Sequence, residues 1–111
     1  MDRDYAVIAI DFDGTLFETD YPKIIRPIKR VILEAKKRRE KGDKLILWTC
    51  RQGPKLLSAL RACNNVGLYF DAVNDNLSEL KKMWGNNPRK IAADEYWDDH
   101  NVYVGGWINE H

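Results

Sequence analysis

The sequence predicts an α/β domain: a mainly parallel central sheet with helices against it, in a three-layer α/β/α arrangement. Three observations predict it. Short apolar runs alternate with amphipathic segments, the pattern of right-handed βαβ units. Polar residues follow the end of each run, which is where ligands bind in open parallel sheets. The 111 residues, 44% of them hydrophobic, suffice for one compact domain over 1–111 and not for two ordinary ones.

Tyr5 to Asp13 reads YAVIAIDFD, an apolar run ending abruptly in carboxylates. Its length and branched side chains suit a buried parallel strand. Gly14 breaks the element, and Thr15 to Lys23 shows no clean periodicity. Pro27 suits the first turn of a helix, where its missing N–H is not needed. Ile28, Val31, Ile32 and Ala35 recur at helical spacing, with Lys29, Arg30, Lys36 and Lys37 on much of the other face. Gly42 ends that helix.

Lys44 to Cys50 (KLILWTC) is the second strand, with Trp48 inside it and expected in the core. Gly53 and Pro54 punctuate. Leu56, Leu57, Leu60 and Cys63 mark a second helix that fades by Gly67. Tyr69 to Val73 is a short third strand. Asn76 and Glu79 have capping-box spacing ahead of Leu80, Met83 and Trp84 on a brief third helix. Lys90 to Asp98 is a fourth strand, interrupted by Asp94 and Glu95, and Asn101 to Val104 adds a fifth.

Charge excludes several classes of protein. Eighteen Lys and Arg oppose seventeen Asp and Glu, which fits neither a polyionic tail nor a disordered chain. Two cysteines exclude a disulfide scaffold, and Cys50 and Cys63 read as reduced core thiols. The apolar run Ala6 to Ile10 is too short for a signal-peptide core or a membrane span, so a soluble, cytoplasmic protein with no membrane partner is expected. Between Lys23 and Lys44 ten bases face three acids. That segment is either a solvated helix face or a surface attractive to anions.

Asp11 and Asp13 are the sharpest signal. Two carboxylates separated by one residue can point the same way from a strand end, and a hard divalent cation can offset their mutual repulsion. Asp98 and Asp99, at the end of the fourth strand, complete an oxygen-rich set. Oxygen donors suit magnesium. His100 and His111 are the only histidines, so no His/Cys set supports zinc.

The run DFDGTL (Asp11 to Leu16) resembles the first motif of the haloacid dehalogenase (HAD) superfamily, a Rossmann-like fold most of whose members are magnesium-dependent phosphohydrolases. WTC resembles the second motif, ending at Thr49; Lys90 resembles the third; Asp98 with Asp99 resembles the paired acids of the fourth. The segments ILWTCR, AVN and YWDD also resemble a group of small members. The resemblance implies that Asp11 attacks a phosphoryl group and forms an aspartyl-phosphate. Asp13 would protonate the leaving oxygen and then activate water. Thr49 would hydrogen-bond a phosphoryl oxygen, Lys90 would neutralise it, and Asp11, Asp13, Asp98 and Asp99 would hold Mg2+, with Asp99 either a direct ligand or behind one.

The chemistry is physically apt. A carboxylate is already ionised near neutral pH and needs orientation more than deprotonation. Phosphoryl oxygens need opposite charge, from a metal, a Lys or backbone N–H groups. Gly14 permits a tight turn that would turn amides towards a phosphate. Arg51 is read either as a phosphate- or carboxylate-binding fork or as a surface salt bridge. Asn74 and Asn76 are candidates for substrate contact, Asn76 also as a helix cap. Asp94 is read as facing either the site or solvent.

Only Leu16 to Pro27 is free for an insertion after the first motif, so the resemblance implies a capless member. The expected partner is a phosphorylated small molecule, with a phosphorylated nucleic-acid end or protein as the bulkier options. Trp107, after Gly105 and Gly106, is read as a cover for a pocket mouth or part of a homo-oligomer interface. The other readings are a non-catalytic binding or regulatory protein on a phosphatase scaffold and a nucleic-acid end-processing phosphatase. A receiver-like phosphoacceptor is disfavoured, because its acceptor Asp would follow the third strand.

Overall fold

The computed structural model describes residues 4–75, 77, 92–98 and the backbone of 102–104. In chain order the elements are β1 (Val7–Ile10), β2 (Phe17–Asp20), β3 (Lys23–Pro27), α1 (Lys29–Glu40), β4 (Lys44–Leu47), α2 (Gly53–Asn65), β5 (Ala72–Val73), β6 (Glu95–Trp97) and β7 (Val102–Val104). Five strands form the main sheet in the order β5-β4-β1-β6-β7. β1 is parallel to both β4 and β6, β5 is parallel to β4, and β7 is antiparallel to β6 at the edge. The chain steps outward from β1 through β4 to β5, then crosses back to β6, so strand order reverses beside β1.

Every residue of β1 is buried, as a central strand covered on both faces requires. Ile8, Ile10, Leu45 and Leu47 point to one face and meet Ile32 and Ala35 of α1 and Ala59 and Cys63 of α2. Both helices share this face because two right-handed crossovers in the same direction put their helices on the same side. Val7, Ala9 and Ile46 point to the other face, against buried Leu77 and the partly buried Tyr5, Ala72, Ala93 and Tyr96. The result is an α/β globule with a largely parallel core sheet flanked by helices.

The segment after Gly14, which shows no clean periodicity, forms a two-stranded hairpin, β2 with β3, carrying a bulge at Glu18/Thr19. β2 alternates over only four residues, and β3 breaks the alternation where Ile25 and Arg26 are both exposed, so no period of two is legible in the sequence. Pro27 belongs to the end of β3 opposite Phe17, not to the first turn of α1; the neighbouring Ile28 N–H donates to the Leu16 carbonyl (2.8 Å). Gly42 does close α1, at φ +102°, a conformation glycine adopts freely. The third strand shortens to Ala72–Val73 and the fourth to Glu95–Trp97, with Ala92, Ala93, Asp94 and Asp98 outside it. The expected third helix lies outside the described residues.

An ion-pair network ties α1 to β6. Arg38 Nε donates to Asp43 (2.7 Å), and its two terminal nitrogens donate to both Glu95 oxygens (2.9 and 2.5 Å). Trp97 Nε1 also donates to Glu95 (3.1 Å), and the Ala6 N–H donates to Asp43 (2.9 Å). Burial would push the Asp43 carboxyl up, but the Ala6 N–H and the Arg38 guanidinium more than offset it and hold it below its ordinary value. The same interactions raise Arg38, chiefly through Glu95.

Glu95→Ala should cost about 2–3 kcal/mol, because Arg38 keeps Asp43 and some solvent but loses its bidentate partner. An unchanged urea midpoint would show that Asp43 alone holds Arg38. Because the folded Asp43 carboxyl is depressed, its contribution is complete above the unfolded value of about 3.9 and is lost as pH falls through the lower folded value.

Candidate functional site

The carboxyl ends of β1, β4, β5 and β6 bring Asp11, Thr49, Asn74 and Asp98 together beside the strand-order reversal. Backbone bonds fix the alignment: the Asp11 N–H donates to the Trp97 carbonyl (2.9 Å), the Trp48 N–H to Ile10 (2.9 Å) and the Asn74 N–H to Leu47 (2.7 Å). Ile10 pairs with Trp97, so Asp11 and Asp98 are the next residues on neighbouring strands, whose backbones lie about 4.8 Å apart.

After Asp11 the chain turns tightly. The Phe12 carbonyl accepts the N–H groups of Thr15, Leu16 and Phe17 (3.2, 3.1 and 3.3 Å), and the Gly14 N–H donates to Phe17 (2.8 Å). Gly14 sits at φ +78°, which a side chain would strain. These amides were expected to face an anion; they are bonded inside the turn instead. The Phe12 N–H donates to the Asp11 carboxylate itself (2.8 Å). Thr15 Oγ1 is buried with no partner among the described residues, at a cost of about 1–3 kcal/mol.

Arg51 is the residue whose role the sequence least reveals. Its side chain is 1% exposed, so it is not a surface salt bridge. Nε and one terminal nitrogen donate to the two oxygens of Asp13 (2.9 and 2.7 Å). The guanidinium also donates to the Pro22 and Lys55 carbonyls (3.2 and 3.3 Å) and lies between the rings of Phe12 and Tyr21, 4.9 and 5.1 Å from their centroids. One buried cation thus joins Asp13, the hairpin and α2. Arg51 holds the Asp13 carboxyl below its ordinary value against the opposing effect of burial, with help from Thr19. Asp13 in turn raises Arg51.

Thr49 is nearly buried. Its N–H donates to the Asn74 side-chain oxygen (2.7 Å), and its hydroxyl accepts the Arg51 N–H (3.1 Å). With that lone pair engaged, the hydroxyl is set up as a donor. Asn74 holds its position at φ +51°, a conformation Asn tolerates better than most residues. Asp94 faces neither the site nor an edge: its carboxylate accepts the Val7 N–H (2.7 Å) at the opposite end of β1. Lys90, Asp99, Asn76, Trp84 and Trp107 lie outside the described residues. Among the described residues no three His, Cys, Asp or Glu side chains form a metal-holding group.

Two further expectations change. Trp48 is not a core residue; it is 45% exposed, just beyond β4, with its ring 5.9 Å from Tyr96 at 70°. Cys50 is exposed, whereas Cys63 is buried and its thiol is pushed up to about 12 by burial. Only the thiolate reacts readily. A disulfide reagent should therefore titrate Cys50 in the native protein and Cys63 only after denaturation; two fast native thiols would contradict the packing around Cys63.

The fold and these strand ends define an α/β protein with an acidic, Thr-containing cluster at the carboxyl edge of a parallel sheet. No described helix is long and apolar enough to cross a membrane. No family model matches the chain, and no curated protein matches it. A solved structure of a conserved protein from Bacteroides thetaiotaomicron is similar at a TM-score of 0.77 and 33% identity, over 96% of this chain and 92% of that one. The chain belongs to the same family as that conserved protein.

Proposed function

We propose that the protein is a capless, HAD-type phosphomonoesterase that works through Asp11 with magnesium. The observation that carries the reading is the meeting of Asp11, Thr49 and Asp98 at adjoining strand ends, with Asp13 held one turn away. Asp11 attacks phosphorus; the bond to the leaving oxygen breaks, and that oxygen takes a proton from Asp13. Water then attacks the aspartyl-phosphate as Asp13 accepts its proton, releasing inorganic phosphate and restoring Asp11. Thr49 donates its hydroxyl to a phosphoryl oxygen, and Lys90 and Asp99 keep the roles their motifs imply.

Magnesium fits Asp11 and Asp98, hard oxygen donors on neighbouring strand ends, as a cation that needs one or two carboxylates besides substrate oxygens. It does not fit the Asp13 carboxylate while Arg51 holds both oxygens. When bound it supplies positive charge to the phosphoryl oxygens. Asp13, kept ionised by Arg51, is suited to the water-activating step; to act first as an acid it must be protonated against that pull.

The same pairing favours a second reading, a non-catalytic binding protein on a phosphatase scaffold. A nucleic-acid end-processing role draws less support from the basic helix, since Arg38 and Arg39 are committed to Glu95, Asp43 and Asp71. Phosphate release from a panel of phosphorylated metabolites, nucleotides and oligonucleotides, with magnesium and with chelator, separates these readings. Metal-dependent turnover is expected; a folded protein inert towards all of them would favour the binding protein.

A further inference from the structure

Trp48 stands at the carboxyl edge of the sheet with 45% of its surface exposed. Its backbone is fixed, because its N–H still donates to the Ile10 carbonyl (2.9 Å). Side chains alternate along a strand, so Trp48 shares the face of Ile46, and Tyr96 shares that of Ala9. The two rings meet across β1, 5.9 Å apart, and the small Ala9 beneath them leaves room for it. Asp11 is the next residue on the Ala9 face, and Thr49 follows Trp48 directly. An edge contact at 70° covers at most one side of the indole.

The other exposed rings among the described residues, Tyr21 and Tyr69, are placed differently. Tyr21 already lies under Arg51 and Lys55. Tyr69 lies near the start of β5, at the opposite end of the sheet, where the Asp71 N–H donates to Leu45. Trp48 therefore combines an open aromatic surface, a rigid backbone and adjacency to both the proposed nucleophile and Thr49, the proposed hydrogen-bond donor to the phosphoryl group.

We propose that Trp48, backed by Tyr96, is the wall on which a planar heteroaromatic ring stacks, so that the substrates are phosphate monoesters carrying such a ring, as nucleoside monophosphates do. This rests on the phosphomonoesterase reading for the position of the phosphate. Stacking suits a capless site, because a flat ring against a fixed indole orients the ester without a covering domain. The indole supplies dispersion and hydrophobic contact and tolerates different bases, since each has a π-face.

The test uses the full chain, an adenine nucleoside monophosphate and the corresponding ribose phosphate lacking the base. The Trp48 indole N–H resonance, assigned by its loss in Trp48→Phe, should shift with the nucleotide and hardly at all with the sugar phosphate. Wild type should hydrolyse the nucleotide with the higher kcat/KM. Trp48→Ala should lose roughly 10- to 100-fold on the nucleotide, the effect of removing a base-stacking aromatic, with the sugar phosphate nearly unchanged and Trp48→Phe recovering much of the loss. Equal losses on both substrates, or no indole shift with the nucleotide, would overturn the proposal. Absence of hydrolysis alongside a nucleotide-specific indole shift would instead overturn the phosphomonoesterase reading and keep the stacking wall. The resonance is read in wild type, so the test stands even if Trp48→Ala does not fold.

Discussion

Asp11→Asn is expected to abolish phosphate release while leaving the fold intact. The amide oxygen of Asn can still accept the Phe12 N–H that the carboxylate accepts at 2.8 Å, and Asp11 is held by its backbone bond to Trp97. What it loses is the anionic oxygen that attacks phosphorus. Removing a covalent nucleophile lowers turnover by about a thousandfold or more. Melting temperature and phosphate release, measured on the same preparation, are the check. Unchanged turnover would remove Asp11 from the chemistry; a large fall in melting temperature would mean that the carboxylate holds the turn together.

The second large effect concerns the pair Asp13 and Arg51, and it is asymmetric. Asp13→Ala should destabilise the protein by about 3–5 kcal/mol, because it leaves a buried guanidinium without its counter-charge. Arg51→Met should cost less, roughly 1–3 kcal/mol, since the Asp13 side chain is 28% exposed and water can solvate it again. The double variant should be more stable than Asp13→Ala alone. Chemical denaturation of all four proteins gives the cycle, and an additive outcome would refute the coupling. Single-domain stabilities are about 5–15 kcal/mol in total, so Asp13→Ala approaches the limit of folding. Activity lost on replacing Asp13 therefore has to be read beside a melting curve; Asp13→Asn, which keeps one acceptor oxygen, is the gentler variant.

Much of the main sheet was legible. β1, β4 and α1 fall within the segments that the apolar runs and helical spacing mark, because those patterns reflect which side of a local element meets the core; α2 covers its marked residues but begins earlier, at Gly53. The hairpin was not legible: four- and five-residue strands with mixed exposure carry too little periodicity. Trp48 was misplaced for a related reason. Membership of a strand says which face a residue takes, but not whether that face is covered at the strand's end.

The candidate site divides in the same way. Asp11 and Asp98 directly follow their strands and Thr49 lies one residue further beyond β4, so their arrival at one edge is a consequence of parallel pairing and was determined by the sequence alone. Arg51 was decided by tertiary structure. Its partners are 38 residues away at Asp13 and 29 away at Pro22, and no local pattern encodes a contact that exists only once the hairpin folds back over α2. The same holds for Asp94, which caps the far end of β1 across 87 residues. Local periodicity places the backbone, whereas a buried charge goes wherever the closed structure offers it an opposite charge and carbonyl oxygens, since leaving it unpaired costs several kcal/mol.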